Sequence, residues 1–132
     1  MPFARIHLLR GKPPSWLQAV SDSVHRALVE AFEVPPTDRF QVIHQLEPHE
    51  LSVDRHYMGG PRSDDYVLVV LAVGRERTYE VKQAFYRRLA ELLGAAPGIR
   101  AEDVMVIIQP STFDDWSFSG GIAASAALAA AR

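Results

Sequence analysis

The 132 residues of this sequence include no cysteine, and acidic residues outnumber basic residues only slightly. The absence of cysteine excludes disulfides, thiolate metal sites and cysteine nucleophiles. Fourteen lysines and arginines against 16 aspartates and glutamates leave a formal net charge of −2. A strongly basic surface is therefore not expected. Because nucleic-acid binding depends on such a surface, we exclude nucleic acid as a partner.

Long hydrophobic runs are also absent. The longest wholly apolar run, "YVLVVLAVG" at 66–74, is far too short for a membrane helix. The amino-terminal "MPFARIHLLRGKPP" carries an arginine and a histidine inside its apolar run, which is unlike a secretory signal. We therefore expect a cytoplasmic protein with no membrane partner. The five histidines show no metal-ligand spacing, so no metal is expected. No cofactor is expected either.

The composition is that of one globular domain, with 48% hydrophobic and 23% charged residues. Hydrophobic periodicity predicts a strand, a helix and a strand in each half of the chain. Ser15, which follows two prolines, is predicted to cap the first helix. The predicted elements are a strand at 3–9, a helix at 15–32, a strand at 40–45, a strand at 66–73, a helix at 79–93 and a strand at 104–109.

The two halves resemble each other when the sequence is shifted by 65 residues. This shift aligns "VPPTDRFQVIHQ" with "IRAEDVMVIIQP", so that Asp38 meets Asp103 and Arg10 meets Arg75. We interpret the chain as a duplicated β-α-β unit, with repeat one at about 2–57, repeat two at about 64–121 and an alanine-rich tail at 122–132. Because such crossovers share one handedness, an α+β fold is predicted, with a four-stranded mixed sheet and two helices on one face.

The third predicted strand, at 66–73, is apolar at both odd and even positions, and the segment 104–108 is as well. Both faces of these strands should therefore be buried, although the two helices cover only one of them. A homo-oligomer follows as the expectation, because an apolar sheet face of this size requires cover.

Two residues near the starts of strands are candidates for chemistry. Removal of Met1 would leave Pro2 as a secondary amine at the start of a core strand. The alternative is that Pro2 is simply a common second residue. Asp38 lies in "PPTDRF", a turn that leads into a strand, and its alternative role is to stabilise that turn. Asp103, its counterpart in the second repeat, is expected to have only that structural role.

Arg75 and Arg77 lie where a helix begins near Thr78, a place that favours anions over cations. At this spacing in extended chain the two side chains point the same way, while Glu76 turns aside. They are predicted to form a two-pronged carboxylate clamp beside the free N–H groups of the helix. The alternative is an exposed junction with only a small energetic penalty.

The segment "DDWSFSGG" at 114–121 places Trp116 and Phe118 on one side of an extended stretch. These rings are predicted to wall a pocket or to pack between subunits. The tail "IAASAALAAAR" is of low complexity and is either helical or frayed.

Four segments together resemble the tautomerase superfamily, and in particular its malonate semialdehyde decarboxylase branch: "MPFARIHLLRGK", "FEVPPTDRFQVIHQ", "VGRERTYEVKQAFYRRL" and "DDWSFSGG". The resemblance implies a homotrimer in which Pro2 is the catalytic amine and Asp38 its acid–base partner. It also implies that Arg75 and Arg77 bind a substrate carboxylate and that Trp116 and Phe118 form an apolar wall. The chain departs from the family pattern after Gly121, in the alanine-rich tail.

Three functions are compatible with these residues. The favoured one is a cofactor-independent decarboxylase or hydratase of a small 3-oxo acid such as malonate semialdehyde, in which a protonated Pro2 polarises the carbonyl. The first alternative is a keto–enol tautomerase of 2-keto acids such as phenylpyruvate, in which a neutral Pro2 acts as the base. The second is a non-catalytic oligomer that binds carboxylates. Arginines lower the pKa of the amine and Asp38 raises it, so the sequence leaves the choice open.

Overall fold

The protein folds around one four-stranded mixed sheet, which we describe from a computed structural model covering residues 1–131. The strand order is β2-β1-β3-β4. The outer strands run parallel to their inner neighbours, whereas the two central strands, β1 and β3, are antiparallel. The strands are β1 Pro2–Leu9, β2 Gln41–Leu46, β3 Val67–Val73 and β4 Val104–Pro110.

Each pair of parallel strands is joined by one long helix, α1 Pro14–Ala31 or α2 Tyr79–Ala95. Both helices pack on each other and on the same face of the sheet, where they bury one continuous apolar core. The predicted α+β fold of two β-α-β units is therefore confirmed, and every predicted boundary lies within two residues of the observed one. The largest fully buried side chains are Phe32, Phe85, Ile6, Leu8, Leu71 and Leu89.

The start of α1 differs from the prediction. Pro13, and not Ser15, is the residue that precedes the helix, and no side chain caps it. Proline at the first helical position has its backbone preset for the helix and lacks an N–H that would need a partner. Helix α2 does have a side-chain cap, because the Thr78 hydroxyl accepts a 3.2 Å hydrogen bond from the Val81 N–H.

The two units are joined by the long segment 47–66, which contains no helix or strand. Two 3-10 turns, Ala101–Asp103 and Phe113–Asp115, flank β4, and the alanine-rich tail forms a helix, α3, over Ala124–Ala130. Within residues 1–131 no helix is both long and apolar enough to cross a membrane.

The other face of the sheet is left open by the helices. Alternate residues of β3 and β4 point to it, and Met105 and Ile107 are each 40% exposed there. On the β1–β2 side of the same face, the rings of His7 and His44 stack with their centroids 4.8 Å apart. The uncovered apolar face predicted from the sequence is thus present in the single chain.

Candidate active site

The topology brings three segments that are distant in sequence to one end of the sheet. Strand β1 begins at Pro2, and because β3 runs antiparallel to it, β3 ends at the paired residue Val73. The Gly74 N–H then donates a 3.0 Å hydrogen bond to the Met1 carbonyl, so that Arg75 leaves the sheet beside the amino terminus. Strand β2 enters at the same end, since the Ala4 N–H bonds the carbonyl of Phe40 at 3.0 Å.

Asp38 directs its carboxylate at the amino terminus. Oδ2 lies 3.5 Å from the Met1 nitrogen, and the side chain is only 9% exposed. The turn itself is closed by backbone, because the Asp38 N–H donates to the Pro35 carbonyl at 3.0 Å. The other carboxylate oxygen, Oδ1, is buried and has no hydrogen-bond partner anywhere in residues 1–131. The side chain therefore retains an acceptor that the fold does not use.

The amino group at this position sits in a mixed electrostatic environment. Burial lowers the pKa of the Met1 α-amino group, and Arg77 and Arg75 lower it further. Asp38 opposes them and raises the pKa, but the net shift is downward. An amine at this end of the sheet is therefore neutral more often than an ordinary terminal amine at the same pH.

Arg77 is almost fully buried, with 1% of its side chain exposed. Its guanidinium carbon lies 4.5 Å from the ring centroid of Phe32, at the end of α1, and Nη1 donates to the Arg75 carbonyl at 2.8 Å. Its Nε is buried without a hydrogen-bond partner in the described part of the chain. Burial lowers the pKa of Arg77, with Arg75 acting in the same direction. The guanidinium is thus held in place while one of its donors is unused.

Arg75 is more open, with 51% of its side chain exposed. Its Nη2 donates a 3.0 Å hydrogen bond to Oε1 of Glu33, and the same oxygen lies 4.0 Å from Nε of Arg77. Glu76 turns aside as predicted and pairs with Lys82 at 3.4 Å. Both arginines therefore face the same carboxylate of their own chain.

Glu33 is the site residue that sequence reasoning missed. It lies 42 positions before Arg75, and only the fold of α1 against the sheet brings the two together. One signal was available in the sequence. Glu33 directly follows the first helix, where the chain often takes a left-handed conformation that glycine adopts more readily than glutamate. The structure has this conformation, with φ of +59° at Glu33.

Trp116 and Phe118 lie at the same end of the sheet, with ring centroids 6.2 Å apart. The Trp116 Nε1–H donates to the Ser111 hydroxyl at 2.7 Å, which fixes the indole. A cavity of about 230 Å³ is lined by these two rings together with Met1, Pro2, Phe3, Phe40 and Ser117. Four aromatic rings therefore surround the place where the chain begins.

The arginines do not line this aromatic cavity in the single chain. Arg75 borders a neighbouring groove of about 490 Å³ together with Pro110, Ser111 and Phe113, and Arg77 lines neither space. The structure thus brings all six predicted site residues to one end of the sheet, yet the clamp and the aromatic wall belong to adjacent openings.

Comparison with known proteins identifies the family. Two family models, each described as a tautomerase enzyme, match residues 2–60 and 38–119. The chain therefore belongs to the tautomerase family and is an enzyme of that superfamily. The alternative of a non-catalytic binding protein is accordingly set aside.

Relatives of known name agree with this assignment. The chain is 37% identical to "Probable tautomerase YusQ" and 39% identical to "Probable tautomerase YrdN", both of Bacillus subtilis strain 168. Each match covers 92% of this chain, with 95% of YusQ and 93% of YrdN.

Solved structures show the same fold. A malonate semialdehyde decarboxylase is 31% identical, with a TM-score of 0.88 over 97% of this chain and 98% of that one. Its structures are described as a basis for decarboxylase and hydratase activities and include a mutant of its first-position proline. A fused 4-OT, described as a symmetric trimer, has the same fold at 20% identity, with a TM-score of 0.76 over 95% of this chain and 98% of that one.

Proposed function

We propose that this protein catalyses keto–enol tautomerisation of 2-oxo acids that carry an apolar or aromatic substituent, such as phenylpyruvate. The observation that carries the proposal is the convergence at one sheet end of the chain start, Asp38, Arg75 and Arg77 beside an aromatic cavity. In this proposal Met1 is removed and Pro2 becomes the reacting amine.

The proposed role of Pro2 is that of a general base, for which the amine has to be neutral. Pro2 is the first residue of β1 and lines the same cavity as Met1. Burial and the two arginines lower the pKa of the amino group located there, against the influence of Asp38. The shifted group is the Met1 amine. In the proposal, Pro2 takes over the same surroundings, so that its neutral fraction near pH 7 is raised as well and proton abstraction is favoured over the protonated amine of a decarboxylase.

The proposed role of the arginines is to hold the substrate carboxylate. Arg77 offers a buried and unused Nε, and Arg75 can reach the same point in space, as their common approach to Glu33 shows. A carboxylate bound there would receive charge-assisted hydrogen bonds, which are the stronger kind. The carbon that loses its proton would then lie toward Pro2.

The aromatic wall supports a substrate larger than malonate semialdehyde. Phe40 and Phe118 are 58% and 43% exposed in the single chain, so their rings have surface available for contact. Ligand cavities typically bind through such apolar surface, with a few polar groups for orientation. A three-carbon 3-oxo acid would leave most of this surface untouched, whereas an aryl or alkyl substituent would cover it.

Decarboxylation of a 3-oxo acid, with hydration of an unsaturated acid, is the second candidate. The observation that favours it is Oδ1 of Asp38, which has no hydrogen-bond partner in the described residues and could orient a water molecule, together with the likeness to malonate semialdehyde decarboxylase. In that case Asp38 would keep Pro2 protonated, and the amine would polarise the carbonyl while carbon dioxide leaves.

The test compares the two activities in protein whose first residue is shown by intact mass to be Pro2. Faster turnover of phenylpyruvate than of 3-oxopropanoate, measured as kcat/KM, would support the tautomerase. The reverse order would replace it with the decarboxylase. Absence of both activities in such protein would contradict the proposed role of Pro2.

We further propose that the protein is a homo-oligomer, most simply a trimer. The open sheet face supplies the apolar surface, and the separation of Arg75 from the aromatic cavity in the single chain suggests that a second copy completes the site. Ile107→Glu on the open face should lower the sedimentation coefficient to that of a monomer. Ala84→Glu, on the exposed side of α2, is the matched control and should not. A monomeric parent protein would refute this proposal.

A further inference from the structure

The carboxylate of Glu33 occupies the place where an anionic ligand of the two arginines would bind. Its Oε1 accepts a hydrogen bond from Arg75 at 3.0 Å and lies 4.0 Å from Nε of Arg77. The two arginines precede α2, whose amino-terminal end disfavours cations unless an anion is near. In addition to Glu80 in the first turn of α2, Glu33 supplies such an anion to Arg75.

The backbone at Glu33 is unusual for this residue type. Its φ is +59°, a left-handed conformation that glycine and asparagine adopt readily and glutamate does not. The bend lets the Val34 N–H return to the Leu28 carbonyl at 3.3 Å, which ends α1. The conformation thus meets a need of the helix end, but glycine would meet it with less strain. The carboxylate of Glu33 is not needed to end the helix; its contact is the ion pair with Arg75.

The contact between Glu33 and Arg75 is of a kind that a ligand could displace. Both side chains are about half exposed, at 54% and 51%, and exposed ion pairs are weak and easily screened. At 4.0 Å, the approach to Nε of Arg77 is too long for a hydrogen bond. A substrate carboxylate that bonded both Arg75 and this buried Nε would make two contacts where Glu33 makes one.

We propose that Glu33 is a displaceable internal anion, which holds Arg75 in the empty enzyme and moves into solvent when a substrate carboxylate binds. The inference rests on the proposed function in one respect, that Arg75 and Arg77 bind the substrate carboxylate. The inference adds that the affinity for a carboxylate at this site depends on competition between that ligand and Glu33. Glu33 therefore weakens the binding of every carboxylate and disfavours neutral analogues most, because these cannot replace its charge.

The experiment measures carboxylate affinity in Glu33→Gln, with malonate as the probe and isothermal titration calorimetry as the readout. Loss of an exposed ion pair should tighten malonate binding by about two- to fivefold. The KM for phenylpyruvate should fall by a similar factor, and the gain should diminish at high ionic strength, where the competing pair is screened. Glu91→Gln is the matched control, because Glu91 is as exposed as Glu33 and pairs with Arg88 at 3.0 Å but does not line the Arg75 groove, and its affinity should equal that of the parent protein.

Weaker malonate binding in Glu33→Gln would overturn the proposal, since it would show that Glu33 orients Arg75 for the ligand. Unchanged binding would overturn it as well. Glu33→Gly removes the carboxylate and suits the left-handed backbone, so it should fold even if the glutamine variant does not, and it should show the same gain in affinity.

A third variant separates failure of this proposal from failure of the proposed function. Malonate binding that Arg75→Ala weakens but Glu33→Gln leaves unchanged would refute the role of Glu33 alone. If malonate binds neither the parent protein nor the Glu33 variants, the arginine clamp itself is refuted, and the role of Glu33 with it.

Discussion

The two ends of the sheet differ most clearly in how their equivalent aspartates are used. Asp103 is fully buried and accepts hydrogen bonds of 2.6 Å each from the N–H and the hydroxyl of Ser63. Asp38, its counterpart under the 65-residue shift, has one oxygen 3.5 Å from the chain start and the other without a partner in residues 1–131. The same position thus stabilises a loop in one repeat and leaves acceptors open in the other.

The equivalent cations differ at one of the two positions: Arg10 and Arg75 each pair with a carboxylate, whereas Lys12 is paired and Arg77 keeps an Nε without a hydrogen-bond partner in residues 1–131. Arg10, the counterpart of Arg75, bonds Glu47 at 3.1 Å, and Lys12, the counterpart of Arg77, is paired with Asp65. The counterpart of Pro2 is Val67, whose nitrogen lies inside a peptide bond and is not basic. The two units therefore share a scaffold at both ends of the sheet, whereas within residues 1–131 a buried carboxylate oxygen and a buried guanidinium nitrogen without partners accompany an amine position at one end alone.

Blocking the amine should have the largest effect on this difference between the ends. A protein that retains one extra residue before Pro2 cannot use its nitrogen as a base. General acid–base catalysis typically contributes on the order of 10²–10⁴-fold, so kcat/KM for phenylpyruvate should fall by about that factor. The same extension at the carboxyl terminus is the control. Full activity in the blocked protein would remove the chemical distinction between the two ends.

Replacing Arg75 tests the proposed role of the cations in binding a carboxylate. Arg75→Ala should weaken malonate binding by roughly 1.5–3 kcal/mol, the value of a hydrogen bond to a charged group, or about 10- to 150-fold in Kd. Arg10→Ala, its equivalent at the other end, should leave Kd unchanged. Equal effects of the two substitutions would indicate that malonate binds without regard to the clamp.

Replacing the buried Asp103 should lower stability and leave activity unchanged. Asp103→Asn disturbs the hydrogen bonds from Ser63 and should lower the free energy of unfolding by about 1–3 kcal/mol, with kcat/KM unchanged. Burial raises the pKa of Asp103, but the Ser63 hydroxyl and N–H, followed by Arg100, outweigh it and hold the pKa below the ordinary 3.8.

The pH dependence of stability follows from that lowered pKa. Because the folded pKa is depressed, the stabilisation by Asp103 is present above pH 3.8 and is lost as the pH falls further through the folded value. Denaturant titrations of parent and variant should therefore differ near neutral pH and converge in strong acid. A constant difference down to the lowest pH would contradict the assignment.

The smallest expected effect is that of Asp38→Asn, which distinguishes the two enzymatic proposals. In the tautomerase, loss of the carboxylate lowers the pKa of the amine, so phenylpyruvate turnover near pH 7 should persist or rise a few-fold, and the acid limb of the pH–rate profile should move to lower pH. In the decarboxylase, turnover of 3-oxopropanoate should instead collapse. Severe loss of both activities in a folded variant would contradict both roles of Asp38.

The elements of the fold were predictable because each carries its own local signal. Alternating apolar residues in β1 and a helical period in α1 and α2 are properties of adjacent residues, and short-range sterics determine them. The predicted N-cap of α1 was wrong because the two successive prolines place the helix start at Pro14. Ser15 therefore lies within the first turn.

The candidate site was predictable only in part. Pro2, Asp38, Arg75 and Arg77 could be singled out because each lies at the edge of a predicted element. The sequence marks Glu33 only as the residue after the first helix, because its contact with Arg75 depends on how α1 packs across the sheet. Whether a carboxylate is saturated, as in Asp103, or open, as in Asp38, likewise depends on tertiary contacts that no local pattern contains.

Phe32 connects the arginine pair to the hydrophobic core. One face of its ring lies under the guanidinium of Arg77 at 4.5 Å, and the ring also packs against Phe85 of α2 with centroids 5.1 Å apart. Any repacking of the two helices therefore moves the platform on which Arg77 rests. Under the proposed role of Arg77, we therefore expect substitutions at Phe85 that change thermal tolerance to change carboxylate affinity as well.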